Sequence, residues 1–229
     1  MSDGFVDVQE QLYRINIDNP EKNPDELYKQ VSSNINSIYG TKEGSFEYKV
    51  QQKPNEVSKN DLVQIDPGLK GFNMFVKVAN IQKIDANNKE PGIDNPHNGF
   101  SITFRTLQGH VEVGVITFTA LEMTNPQTGV KSFQFDISST SRINHLTGSV
   151  LNGTIGLARD KQNSVWHQVL QNIYNYIGGT ISNASQSISN YKYSQYEDCD
   201  NKGTTLGQPK SLESPVTTHT DIKIEPKKD

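Results

Sequence analysis

Apolar residues alternate with polar ones through Gln11-Leu12-Tyr13-Arg14-Ile15-Asn16-Ile17, the two-residue period of a strand, inside an otherwise polar and irregular segment covering residues 1–22. The period then lengthens. Leu27, Val31, Ile35 and Ile38 keep one face of a helix, with Asn23 placed to cap it, Pro24 at its first position and Asp25 and Glu26 at the positive end of its dipole. Gly40 supplies a left-handed stop. Such a helix covers a sheet. Residues 45–51 return to alternation, with Phe46, Tyr48 and Val50 on one face, and residues 61–65 form a short second strand. The run over residues 71–81 turns Phe72, Met74, Val76 and Val78 inward.

Residues 84–98 contain Asn87-Asn88, Pro91-Gly92 and Asn95-Pro96, which mark chain reversal. Two more strands, over 99–108 and 111–121, flank Gly109-His110. After the turn Asn125-Pro126-Gln127-Thr128-Gly129, residues 130–138 alternate again, which makes an antiparallel sheet the natural arrangement. From residue 155 to 177 the spacing is helical through Ile155, Ala158, Val165, Trp166, Val169, Leu170, Ile173 and Ile177, and Gly178-Gly179 closes the run. Beyond Ser182 the chain is rich in Ser, Asn, Asp, Lys and Pro; such a composition buries too little apolar area to offset ordering and is expected to be a disordered tail. The expected class is α+β: an antiparallel sheet with a long C-terminal helix packed on it. The expected organisation is a polar N-terminal segment (1–22), one domain (23–182) and the tail (183–229).

Composition narrows the function classes. A net charge of -4 and a pI near 5.7 leave no basic face to displace counterions from phosphates, so nucleic acid is not an expected partner. No window reaches 18 consecutive apolar residues, so no transmembrane helix is expected, and the N-terminus lacks the basic-then-apolar order of a signal peptide. Cys199 is alone, which fits a reducing, cytoplasmic setting. A core of about 150 residues would bury roughly 70% of its unfolded surface, enough for stability without disulfides.

The segment Gly99-Phe100 through Thr106-Leu107-Gln108-Gly109-His110, then Gly114 and Phe118, resembles the DUF1990 (UPF0548) family, whose hallmark is a Thr-Leu-x-Gly-His corner with a glycine soon after. The resemblance continues through Phe135, Ile137, Ser139, Ser141, Arg142, Leu146, Arg159, Gln162 and Trp166-His167-Gln168-Val169-Leu170, spanning roughly residues 57–177. The chain departs from the family at Arg105 and Val115, and at Ile143-Asn144, where a tryptophan is common. The resemblance implies a helix-grip fold, START-like or Bet v 1-like, in which a curved antiparallel sheet wraps a long C-terminal helix. A gap between the two is the physical basis for holding an apolar ligand in a pocket on the order of 300–1,000 Å³.

Three functions follow as expectations. The first is a non-catalytic binder of a lipid or other apolar small molecule, with Phe72, Met74, Phe100, Phe104, Phe118, Phe135 and Trp166 as pocket walls; the same residues are the expected core. Ser139, Ser141 and Arg142 offer hydroxyl and guanidinium contacts to an anion, or satisfy a strand end, and Arg159 with Gln162 can reach a ligand head group from the helix. The second is a cyclase- or hydratase-type enzyme using His110, which titrates near neutrality, with Glu112 two residues on along the same strand face. The third is an interaction or membrane-associated scaffold acting through its tails. No Gly-x-Ser-x-Gly elbow appears around Gly148-Ser149, and His145 and His167 lack companions at metal spacing, so neither a serine hydrolase, a metal nor a cofactor is expected. Ile222-Lys223-Ile224-Glu225 matches the hydrophobic-Lys-x-Glu pattern of SUMO attachment and is read as a charged, solvated end.

Overall fold

The N-terminal alternation becomes β1 (Val6–Asp18), a 13-residue strand in the computed structural model, which describes residues 6–66, 74–85, 97–107, 112–124, 128–143, 154–193 and 214–226. After it come α1 (Pro24–Ser33), α2 (Asn36–Tyr39), β2 (Ser45–Val50), β3 (Leu62–Asp66), β4 (Met74–Ile84), β5 (His97–Thr106), β6 (Glu112–Thr124), β7 (Lys131–Ile143), α3 (Thr154–Ile177), β8 (Thr180–Tyr193) and β9 (Val216–Asp221). These strands form one nine-stranded sheet in the order β2-β3-β4-β5-β6-β7-β1-β8-β9, and every neighbouring pair is antiparallel. An antiparallel sheet with a long helix packed on it agrees with the class expected from the sequence.

Local chemistry explains the elements. Asn23 closes a capping box on α1: its Oδ1 accepts from the Glu26 amide at 3.0 Å, and Glu26 Oε2 accepts from the Asn23 amide at 2.9 Å. A cap of this kind contributes about 1 kcal/mol. The alternation in β1, β5, β6 and β7 places Tyr13, Ile15, Ile17, Phe100, Ile102, Phe104, Phe118, Ala120, Phe133, Phe135 and Ile137 on one buried face. The helices bury Leu27 and Val31 from α1, Ile38 and Tyr39 from α2, and Trp166, Val169, Leu170, Ile173 and Ile177 from α3 in the same core. Asn172 on α3 ties the end of α2 down, its Nδ2 donating to the carbonyls of Ile38 (3.0 Å) and Gly40 (2.7 Å). On the opposite face, Arg14 grips Asp136 across β1 and β7 with two bonds of 2.8 and 2.7 Å.

Three glycines occupy positions that disfavour a side chain. At Gly114 a Cβ would lie 2.2 Å from the Thr140 carbonyl oxygen of the neighbouring strand, and the Thr106 hydroxyl both accepts from the Gly114 amide (2.9 Å) and donates to its carbonyl (3.2 Å). Gly114 and Thr106 thus tie the ends of β5 and β6 together. Gly178 and Gly179, with φ of 72° and 95°, turn the chain directly from α3 into β8.

The structure corrects the sequence reading in three places. Residues 1–22 are not a separate polar segment: β1 lies inside the sheet, between β7 and β8. The long helix is not C-terminal, because two strands follow it. The described parts of the expected tail, residues 183–193 and 214–226, are strands and an extended segment, with Ala184 and Ile222 in the core cluster. The reason is that β8 is held by its ladder to β1 rather than by apolar burial; its inner face is Ala184, Gln186 and Ile188, directly opposite Ile15, Tyr13 and Gln11. A hydropathy reading counts only the apolar part of such a strand. Ile222, read as a solvated end, donates its amide to Ala184 O at 2.9 Å and is 8% exposed.

Candidate functional site

Two groups of side chains on the helix-covered side of the sheet carry chemistry. The first is aromatic. Tyr39 stacks on Phe118 with centroids 4.3 Å apart, Phe118 meets Trp166 at 5.8 Å and Phe104 at 5.7 Å, and Phe46 lies 6.1 Å from Tyr39 and 6.2 Å from Trp166. Within this shell the Tyr39 hydroxyl, the Tyr48 hydroxyl and the Trp166 indole N–H find no hydrogen-bond partner among the described residues. Burial raises the Tyr39 phenol well above its ordinary range, with a smaller contribution from Tyr48. Burial likewise raises Tyr48, aided by the charge of Asp61. Both phenols therefore stay neutral and keep their protons to donate. An unpaired buried polar group costs about 1–3 kcal/mol, so three donors around one ring cluster are an unmet demand for acceptors.

The second group is polar and lies along β1, β8 and α3. Gln9 Nε2 donates to Asn190 Oδ1 (2.8 Å), Gln11 Nε2 donates to Gln9 Oε1, and the Tyr13 hydroxyl donates to Asn163 Oδ1. Gln186 Nε2 donates to the Tyr13 oxygen (3.2 Å), and Gln186 Oε1 meets His167 Nε2 at 3.0 Å. The Tyr13 ring packs edge-on to His167 with centroids 5.8 Å apart. Gln9, Gln11, Tyr13 and Gln186 are all at most 7% exposed, so a continuous polar relay runs through the interior. On the solvent side of the relay is an open groove of about 510 Å³, lined by Asn163, Ser164, His167, Gln168, Gln171 and Lys223. Gln171 clamps the backbone of Glu225 at the groove's edge, donating to its carbonyl at 2.9 Å and accepting from its amide at 2.8 Å.

Of the expected pocket walls, Phe100, Phe104, Phe118, Phe135 and Trp166 are buried together and Met74 is half-buried, whereas Phe72 lies outside the described residues. Ser139 and Ser141 share the inner face, opposite Gln11 and Gln9, and the Ser139 hydroxyl donates to Gln11 Oε1 at 3.5 Å. Arg142, one residue on, falls on the other face of β7 by strand alternation, so the three do not converge on one anion. His110 lies outside the described residues, and Glu112 and Arg159 are placed only by backbone, as the first residue of β6 and the sixth of α3. Among the described residues no three His, Cys, Asp or Glu side chains gather as a metal site, and no helix is long and apolar enough to cross a membrane.

The sequence reading missed Gln9, Gln11, Tyr39, Asn163 and Gln186, placed Tyr48 only on a strand face and read Lys223 only as part of a charged, solvated end. The signal for the relay was present: Gln9, Gln11 and Tyr13 sit at i, i+2 and i+4 on the strand face that continues into Ile15 and Ile17, and Asn163 and His167 are one helical turn apart.

No family model and no curated protein sequence matches the chain. Among solved structures, two crystal forms of ginseng major latex-like protein 151 from Panax ginseng are similar, at 14% and 15% identity. They cover 72% and 73% of this chain and 97% and 98% of their own, each with a TM-score of 0.35.

Proposed function

We propose that the protein is a non-catalytic binder of a largely apolar small molecule that carries a hydrogen-bond acceptor, held between the sheet and α3 in a helix-grip arrangement of the DUF1990 kind. One observation carries the reading: three neutral donors, on Tyr39, Tyr48 and Trp166, are unpaired inside an aromatic shell formed by α2, α3 and the sheet. An acceptor-bearing ligand, a fatty acid or a ketone for example, would recover the hydrogen bonds those groups lose on burial. The scaffold reading loses its premise over the described part of the tail, because β8 and β9 belong to the sheet.

Native mass spectrometry of protein from its own host, with displacement of a fluorescent fatty acid, tests the proposal. Uptake that weakens in Tyr39→Phe supports it. No bound species and no displacement overturns it.

A further inference from the structure

We propose that β9 is a docking edge for a second copy of this chain, which joins it antiparallel through its own β9 so that one sheet runs through both molecules. The two edges of the sheet are built differently. At β2, Asn36 Oδ1 accepts from the Phe46 amide at 2.9 Å, the register shifts between Tyr48 and Val50, and Glu47 and Lys49 place charges along the strand. Bulges and charges of this kind keep an edge from adding strands. Among the described residues β9 meets none of these devices. Its register to β8 is unbroken from Val216 to Asp221, all six residues are exposed, and Val216, Thr217, Thr218 and Thr220 are β-branched.

The ladder to β8 fixes which groups point outward. Ile222 donates its amide to Ala184 O at 2.9 Å, so in steps of two Thr220, Thr218 and Val216 aim their N–H and C=O at β8, and Asp221, His219 and Thr217 aim theirs away from the sheet. The side chains of those three lie on the outer face beside Ser185, Ser187 and Ser189, which carry no charge. Neither His219 nor Asp221 has a side-chain hydrogen bond or ion pair among the described residues. A second β9 turned about a two-fold axis at Thr220 sets each His219 opposite the other copy's Asp221, and each Thr217 opposite Lys223, so imidazole and carboxylate meet twice. Moving the axis to His219 or to Asp221 sets like groups against each other. Charge complementarity thus selects both the occupant and the register, and the two-fold closes the assembly at two copies.

Sedimentation velocity of the full chain tests the proposal, run from about 10 μM to about 1 mM, the range in which interfaces below ~1,200 Å² associate. A reversible monomer–dimer equilibrium is expected. His219→Glu sets a carboxylate against the other copy's Asp221 and should weaken dimerisation by about tenfold or more, whereas His219→Lys, which keeps a cation there, should preserve it. His219→Pro removes an N–H that faces away from β8 and should abolish the dimer with little change in melting temperature. A chain that stays monomeric throughout, a dimer as tight in His219→Glu as in the parent, or association that grows past two copies overturns the proposal, whatever the fatty-acid experiment shows.

Discussion

The two ends of the inner sheet face use the same three strands for opposite purposes. Toward the Ile17 end of β1 the rows across β7, β1 and β8 read Phe133-Ile17-Ile181 and Phe135-Ile15-Ala184; toward the Gln9 end they read Ser139-Gln11-Ile188 and Ser141-Gln9-Asn190. Tyr13 stands at the boundary, its ring buried and its oxygen shared between Gln186 and Asn163. The apolar end gains stability from area removed from water, at roughly 25 cal/mol per Å². The polar end returns little net stability, because each interior hydrogen bond replaces one to water. A chain that keeps such a relay under its main helix is maintaining geometry there, and the groove lies directly beside it.

The comparison can be broken first by removing the strands that complete the polar end. Deleting residues 180–229 strips β1 of one ladder, and at a net ~1 kcal/mol per hydrogen bond the loss is comparable to the whole stability of a domain. The expected result is a chain without a cooperative thermal transition; an unchanged melting temperature would show that β8 and β9 are ornamental. Next, Phe118→Ala at the apolar end should cost about 3–5 kcal/mol in urea unfolding, since the ring is 1% exposed and touches Tyr39, Phe104, Phe135 and Trp166. Gln186→Leu at the polar end should cost less, about 1–3 kcal/mol, by removing the donor to the Tyr13 oxygen and the partner of His167 Nε2, and should shift the His167 ring resonances. The smallest effect is Tyr39→Phe, which removes a hydroxyl that has no partner; its stability should be unchanged or raised by up to about 1 kcal/mol. A clear destabilisation by Tyr39→Phe would mean that its hydroxyl is already satisfied by water, and would remove the main support for a ligand there.

The apolar half of this contrast was legible in the sequence, whereas of the polar half only the separate faces of β1 and α3 were, not their meeting through β8. Phe104, Phe118, Phe135 and Trp166 announce a core because their spacing matches the period of the element that carries them, and the capping box at Asn23 needs only local chemistry. β8 escapes because its Ser- and Asn-rich composition is that of a disordered segment, and the ladder to β1 that orders it joins residues far apart in sequence. The relay escapes for the same reason: Tyr13, Asn163 and Gln186 look like unrelated polar residues until the sheet order puts β8 beside β1. Arg142 shows the converse error. It adjoins Ser141 in sequence, yet a single strand step sends the two to opposite faces.

The position of β1 also bears on how the molecule is made. It is synthesised well before either of its neighbours, β7 and β8. The hydrogen bond between Tyr13 and Gln186 closes a separation of 173 residues. The middle of the sheet cannot be completed until β8 has been synthesised, so this long-range pairing should form slowly. Until then the exposed edge of β1 is the part of the nascent protein that most needs protection from pairing with the wrong strand.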